Sequence, residues 1–196
     1  MSSTQEMGTP RWSTTVADPA ALGLAGFAMT TFVLSLANTG LIAGAGAAVL
    51  GLALFYGGIA QLLAGMWEFV KGNTFGAVAF SSYGAFWLSF WFLLTTGGDK
   101  AAGSAGVGAY LLAWTIFTAF MTIGAVKSSR VVLLVFIALT LTFLLLTIHA
   151  FSGVAAMGQI GGYLGLITAV LAWYGSAASV INSTWKRTVL PVGAPS

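Results

Sequence analysis

The chain has 196 residues, 58% of them hydrophobic and 6% charged, with no cysteine and a formal net charge of +3. So apolar a composition excludes an ordinary water-soluble domain, and the missing cysteines exclude disulfides, thiol catalysis and thiolate metal sites. The cations follow a membrane topology, so the basic balance reports orientation and gives no reason to expect a nucleic-acid partner.

Uncharged stretches run over residues 19–67, 72–98, 101–126 and 131–185. One crossing of a hydrocarbon core of about 30 Å takes about 20 apolar residues, so these stretches hold two, one, one and two spans. The expected fold is an all-α membrane protein with six transmembrane helices. If both termini share a side, Arg11, Lys71, Lys127, Arg130, Lys186 and Arg187 lie there, and only Lys100, beside Asp99, lies opposite. That asymmetry predicts cytoplasmic termini and a multi-pass protein of the inner or plasma membrane.

In chain order, Met1 to Ala17 is a polar tail without the apolar core of a cleavable signal. Helix 1 is expected to start with Asp18 as N-cap and Pro19 in the first turn, and to end near Ile42. Helix 2 is expected from about Ala47 to Val70, helix 3 from Thr74 to Thr95 and helix 4 from Val107 to Val126. Helix 5 follows from Val131 to Ile148 and helix 6 from Gly161 to Ser183. The connections 44–46, 97–106 and 152–158 are short and Gly-rich, so residues 18–187 form one transport domain between the tail and a C-terminal tail of residues 188–196. Small residues four apart, at Gly40, Gly44 and Ala48 and at Gly161, Gly165 and Ala169, suit close helix packing within one subunit or between subunits. Trp67, Trp91 and Trp185 near helix ends suit interfacial anchoring.

Helices 1, 3 and 5 start on one side, so equal distances from their starts mean equal depth. With Asp18, Asn73 and Ser129 as N-caps, Phe27 lies nine positions in, and Tyr83 and Leu139 lie ten in. At 1.5 Å per residue this is roughly 14 to 15 Å, about mid-membrane. Phe27 to Tyr83 and Tyr83 to Leu139 are each spaced by 56. The three side chains either form a pore constriction or sit mid-helix by chance in so apolar a chain. Thr30, Thr31, Ser35, Asn38, Gln61, Ser81 and Ser82 lie near this level without charge. Such groups either contact a small polar solute or hydrogen-bond helices together.

The block Asp18-Pro19-Ala20-Ala21-Leu22-Gly23-Leu24 resembles the Asn-Pro-Ala-Pro-Leu-Gly-Leu signature of the acetate uptake transporter family. The likeness continues through Phe55-Tyr56-Gly57-Gly58-Ile59-Ala60-Gln61, Lys71-Gly72-Asn73-Thr74-Phe75-Gly76, Ser82-Tyr83-Gly84-Ala85-Phe86-Trp87 and Arg187-Thr188-Val189-Leu190-Pro191. The resemblance implies six helices around a path in each subunit, a homo-hexamer, and a neck formed by a Phe, a Tyr and a Leu, which carry over to Phe27, Tyr83 and Leu139. It also brings Leu22 and Gly23 of the first block among the substrate-contacting candidates. Departures are Asp18 for the usual Asn, Ala21 for the second Pro, and Ser179 where a bacterial member has Glu, while Asn182 is kept.

What the resemblance implies is transport of acetate and similar small monocarboxylates, with succinate secondary, and no cofactor or metal. No charged residue is expected at the bilayer centre, so proton coupling through a buried carboxylate is not expected, and acetate crosses either as an anion in a hydrated path or with its proton. Helix N-termini and Lys71, Lys127 and Arg130 attract carboxylates to the inner mouth, where Asp18 adds a negative charge. Glu68 and Lys71, three apart, read as a helix-surface pair, and His149 as an interfacial residue or a pH sensor. The alternatives are a channel for neutral solutes such as urea and a non-transporting scaffold. An enzyme is disfavoured, because the sequence offers no nucleophile set, metal cluster or phosphate loop.

Overall fold

A computed structural model describes residues 16–42 and 44–193. Arg11, most of the polar tail, Ala43 and residues 194–196 lie outside the described residues. Six helices long and apolar enough to span a membrane run over Ala20–Asn38 (α1), Ala45–Lys71 (α2), Thr74–Thr95 (α3), Gly98–Ala125 (α4), Arg130–Ser152 (α5) and Ala155–Trp185 (α6), and no strand occurs among the described residues. The chain is a multi-pass membrane protein.

Each helix packs against the next in sequence, and an extensive pairing of α1 with α6 joins the ends of the chain. The result is a closed ring of six spans, with all odd-numbered helices starting at the face that carries the termini. Gly161, Gly165 and Ala169 are buried on α6, as the small-residue spacing anticipates. A Cβ on Gly162 would meet the Thr39 amide of the α1 C-cap at 2.7 Å, and one on Gly161 would meet Leu146 of α5 at 3.1 Å, so this face packs within the subunit.

Several boundaries differ from the sequence reading. Pro19 is the N-cap of α1, its φ of −69° already helical, and Asp18 reaches over it to accept the Ala20 N–H at 3.1 Å. The helix stops at Asn38, and Gly40 at φ 74° turns the chain, so Gly40 and Gly44 lie in a connection and form no helical face with Ala48. The Gly-rich segment before Val107, expected as a loop, is mostly helical. It is broken at Gly103, whose φ of 62° and ψ of −177° favour a residue without Cβ. The connection before α6 shrinks to Gly153 and Val154. Trp67 and Trp185 face outward, whereas Trp91 is half-buried against the core. Within α2 the turn Phe55–Ala60 is π-helical.

Residues after α6 do not trail away. Asn182 Oδ1 accepts the Val189 and Leu190 N–H groups at 2.7 and 2.9 Å, and Tyr174 donates to the Pro191 carbonyl at 2.8 Å. The Val131 N–H, in the first turn of α5 and without an intrahelical partner, donates to Val192 O at 3.2 Å. This C-terminal strap is clamped over the α5 and α6 ends.

Candidate functional site

Asn73 and Ser129 cap α3 and α5, accepting the Gly76 and Val132 N–H groups at 3.2 and 3.3 Å. Counted from Pro19, Asn73 and Ser129, Phe27 lies eight positions in and Tyr83 and Leu139 ten, which is about 12 to 15 Å of rise. The three side chains are 5%, 3% and 4% exposed and belong to one apolar cluster. The Phe27 and Tyr83 rings sit 5.8 Å apart, tilted by 55°. Tyr83 is also wedged against Phe117 and Phe136 at 5.5 and 6.0 Å.

The hydrogen bond of Tyr83 sets what it presents. Its hydroxyl lies 2.9 Å from Thr118 Oγ1 on α4, and Thr118 already donates to the Trp114 carbonyl at 2.7 Å. A threonine hydroxyl has one proton, so Tyr83 is the donor and Thr118 the acceptor. The phenol is thereby held toward α4.

Two cavities meet at this level. One, of about 140 Å³, opens between the starts of α1, α3 and α5 and is lined by Leu24, Gln61, Asn73, Tyr83 and Val132 among others. The other, of about 460 Å³, is lined toward the opposite face by Thr31, Ser35, Asn38, Trp87, Asp99 and His149 among others. Phe27 and Leu139 line both cavities. Each cavity has buried polar atoms without a protein partner on residues of its wall: Gln61 Oε1 for the smaller, Thr31 Oγ1 and Trp87 Nε1 for the larger. Such atoms are costly unless something polar visits them.

The remaining candidates fall elsewhere. Thr30 is fully buried, bonds its own Gly26 carbonyl at 2.8 Å and packs on Gly57, so it holds α1 against the π turn. Gly23 is filled over by Phe80, whose ring a Cβ would meet at 2.6 Å, and Leu22 is exposed. Ser81 packs on Gly65, and Ser82 is half-buried beside it; neither lines either of these two cavities. Of the polar set, Thr31, Ser35, Asn38 and Gln61 are the ones brought to the cavities.

At the termini face, Lys71 Nζ donates to Asp18 Oδ1 at 2.7 Å, and Ser179 Oγ to Asp18 Oδ2 at 3.2 Å, tying α2 and α6 to the start of α1. Burial alone would raise the Asp18 pKa. Hydrogen bonds from Lys71, the Ala20 amide and Ser179, together with the Lys71 charge, outweigh it and hold the carboxyl below its ordinary value. Lys127 and Arg130 stand at this same end, and the strap residue Gly193 lies against the Arg130 side chain. Glu68 corrects the sequence reading. It is 0% exposed, and its Oε2 accepts from Asn73 Nδ2 at 2.8 Å. Lys71 is 4.0 Å away, within ion-pair reach, with its hydrogen bond given to Asp18, so the Glu68–Lys71 pair exists but its carboxylate is buried rather than on the helix surface.

Residues 2–194 match the GPR1/FUN34/yaaH family. The chain belongs to that family. It is 45% identical over 184 residues to the succinate-acetate/proton symporter SatP of Escherichia coli strain K12, covering 92% of this chain and 97% of that one. Acetate permease A of Emericella nidulans is 42% identical over 197 residues, covering 90% of this chain and 65% of the permease. The solved structure of the bacterial acetate channel SatP superposes with a TM-score of 0.85 at 44% identity, over 91% of this chain and 99% of that one.

Two features of this GPR1/FUN34/yaaH chain escape a reading of charge and periodicity. The π turn follows from close backbone approach: a Cβ on Gly26 would stand 2.5 Å from the Tyr56 carbonyl, and one on Gly57 would strike Thr30. It directly precedes Gln61, which reaches the smaller cavity. The sequence signal is the Gly57-Gly58 pair inside an otherwise bulky span. Trp87 also escapes, since a tryptophan mid-helix reads as packing until its indole nitrogen is found buried without an acceptor.

Proposed function

We propose that this chain carries acetate and similar small monocarboxylates across the plasma membrane, through a path inside each subunit of a homo-hexamer, with both termini cytoplasmic. Residues 18–187 act as the transport unit. The observation that carries the reading is the pair of cavities on opposite sides of one apolar collar, with Phe27 and Leu139 in both walls. The symporter, permease and channel among its relatives support the choice of acetate.

The collar decides which form crosses. A bare carboxylate at an apolar mid-membrane neck is costly, whereas a carboxylate neutralised by a proton is not. Thr31 and Trp87 on one side and Gln61 on the other offer unpaired polar atoms that replace part of the passenger's hydration shell on the way in and out. Longer or doubly charged acids such as succinate pass less readily, because they must desolvate more within the same neck. Chain and relatives alike read as transporters rather than enzymes.

The test is labelled acetate uptake into proteoliposomes holding the purified chain, with an imposed pH gradient and the voltage clamped separately. Uptake above protein-free vesicles, competed by propionate and not by urea, is expected. Competition by urea with no effect of propionate would establish the neutral-solute alternative.

A further inference from the structure

A carboxylate removed from water needs a full set of partners, and a half-paired one is among the costliest arrangements a fold can keep. Glu68 is 0% exposed, yet its Oε1 has no hydrogen-bond partner. Its Oε2 has the Asn73 amide at 2.8 Å and the Lys71 ammonium at 4.0 Å, while that ammonium gives its hydrogen bond to Asp18 at 2.7 Å. Among the described residues, the ionisable groups around it are Lys71 on its own helix and Asp18 at the start of α1. From α3 and its cap come only the uncharged Asn73 and Gly76. A Cβ on Gly76 would lie 2.6 Å from Asn73 Nδ2 and 2.8 Å from Glu68 Cδ, so a bare backbone lets the carboxyl lie against the first turn of α3. Asn73 and Gly76 both line the smaller cavity. Only that thin wall divides the carboxyl from the path.

We propose that Glu68 is the proton-binding residue of the termini-side cavity, taking up a proton on Oε1 when a carboxylate occupies that cavity and returning it when the carboxylate leaves. With Glu68 ionised, Asp18, Lys71 and Glu68 together carry one net negative charge beside the path and repel the passenger. With the proton on, the cluster is neutral. The passenger and the proton therefore each strengthen the other's binding, and linkage makes the effect reciprocal. The step is a plain protonation: one O–H bond forms on Oε1 with a proton from water in the cavity, and it breaks on release. This rests on the acetate reading above, but its test does not need transport.

The experiment adds acetate to the purified full chain in detergent near pH 6.5 and counts protons taken up, by calorimetry in buffers of differing ionisation enthalpy. Net uptake of up to about one proton per chain is expected, lost in Glu68→Gln, whose acetate binding no longer varies with pH. Equal proton uptake by the wild type and Glu68→Gln would overturn the assignment. Should Glu68→Gln not fold, Lys71→Gln serves: losing the cation raises the pH midpoint of proton uptake by about one unit, and an unmoved midpoint overturns the proposal. If no acetate binds, the functional reading fails, and Glu68 is then decided by infrared titration of the apo chain. A protonated-carboxyl band whose midpoint moves in Lys71→Gln supports the assignment, and no such band between pH 5 and 8 refutes it.

Discussion

Replacing Leu139 by Ala tests the collar at a residue that both cavities share. Leu139 is 4% exposed and forms part of the walls of both cavities, so cutting it back to Cβ joins spaces of about 140 and 460 Å³ through a wider neck. A buried Leu→Ala change costs about 2 to 5 kcal/mol. Because empty space already flanks Leu139, a loss toward the lower end of that range is expected. Apolar sites discriminate one methylene by about 1 to 3 kcal/mol, or roughly 10- to 200-fold, so relieving the neck raises lactate or propionate flux relative to acetate by about tenfold. The assay is the ratio of labelled lactate to labelled acetate uptake in proteoliposomes, with thermal unfolding measured in parallel. Val49→Ala is the control, being fully buried on α2 and away from both cavities. A ratio unchanged in Leu139→Ala, or raised equally in Val49→Ala, would refute the reasoning, and Phe27→Ala must move the ratio the same way.

Tyr83→Phe removes a hydroxyl that points to α4, so it costs about 0.5 to 1.5 kcal/mol of stability in thermal melts while acetate uptake holds; lost uptake in a folded variant would place that hydroxyl in the path. Asp18 has a depressed pKa, so its contribution is complete above the unfolded value of about 3.9 and is lost as pH falls through the lower folded value. With the Asp18 side chain 45% exposed, the pair with Lys71 contributes less than about 1 kcal/mol. Asp18→Asn should therefore lower the melting temperature slightly at pH 7 and flatten its fall below pH 4, an effect that salt weakens. Gly84→Ala would set a Cβ 2.7 Å from the Leu62 amide nitrogen and should destabilise by about 1 to 3 kcal/mol. Gly51→Ala on the same bundle meets nothing within 4 Å and should stabilise by up to about 1 kcal/mol, as melting of the two variants side by side will check.

The six spans were legible because eleven charges partition the chain and lipid demands a minimum length of each span. The common depth of Phe27, Tyr83 and Leu139 was legible because α3 and α5 begin at side-chain caps, Asn73 and Ser129, that fix depth by counting. What escaped depends on contacts between spans. Nothing in residues 97–106 distinguishes a Gly-rich loop from a helix broken at Gly103. The burial of Glu68 requires Gly76 to come against it from α3, and the spacing of Glu68 to Lys71 along one helix carries no trace of Asp18 drawing the ammonium away. Thr30 and Thr31 are adjacent in sequence, yet one fastens α1 to a π turn and the other faces a cavity.

The seam between α1 and α6 has a consequence for biosynthesis. The first span to enter the bilayer finds α2 early but must wait for the last span before the ring closes, so a nascent chain of five spans is a trough open along one flank. In that trough the α1 backbone at Asn38 and Thr39, later covered by Gly162, is open to lipid or a chaperone. An unfinished polypeptide thus encloses no lumen, and the conduit comes into being only when α6 docks on α1.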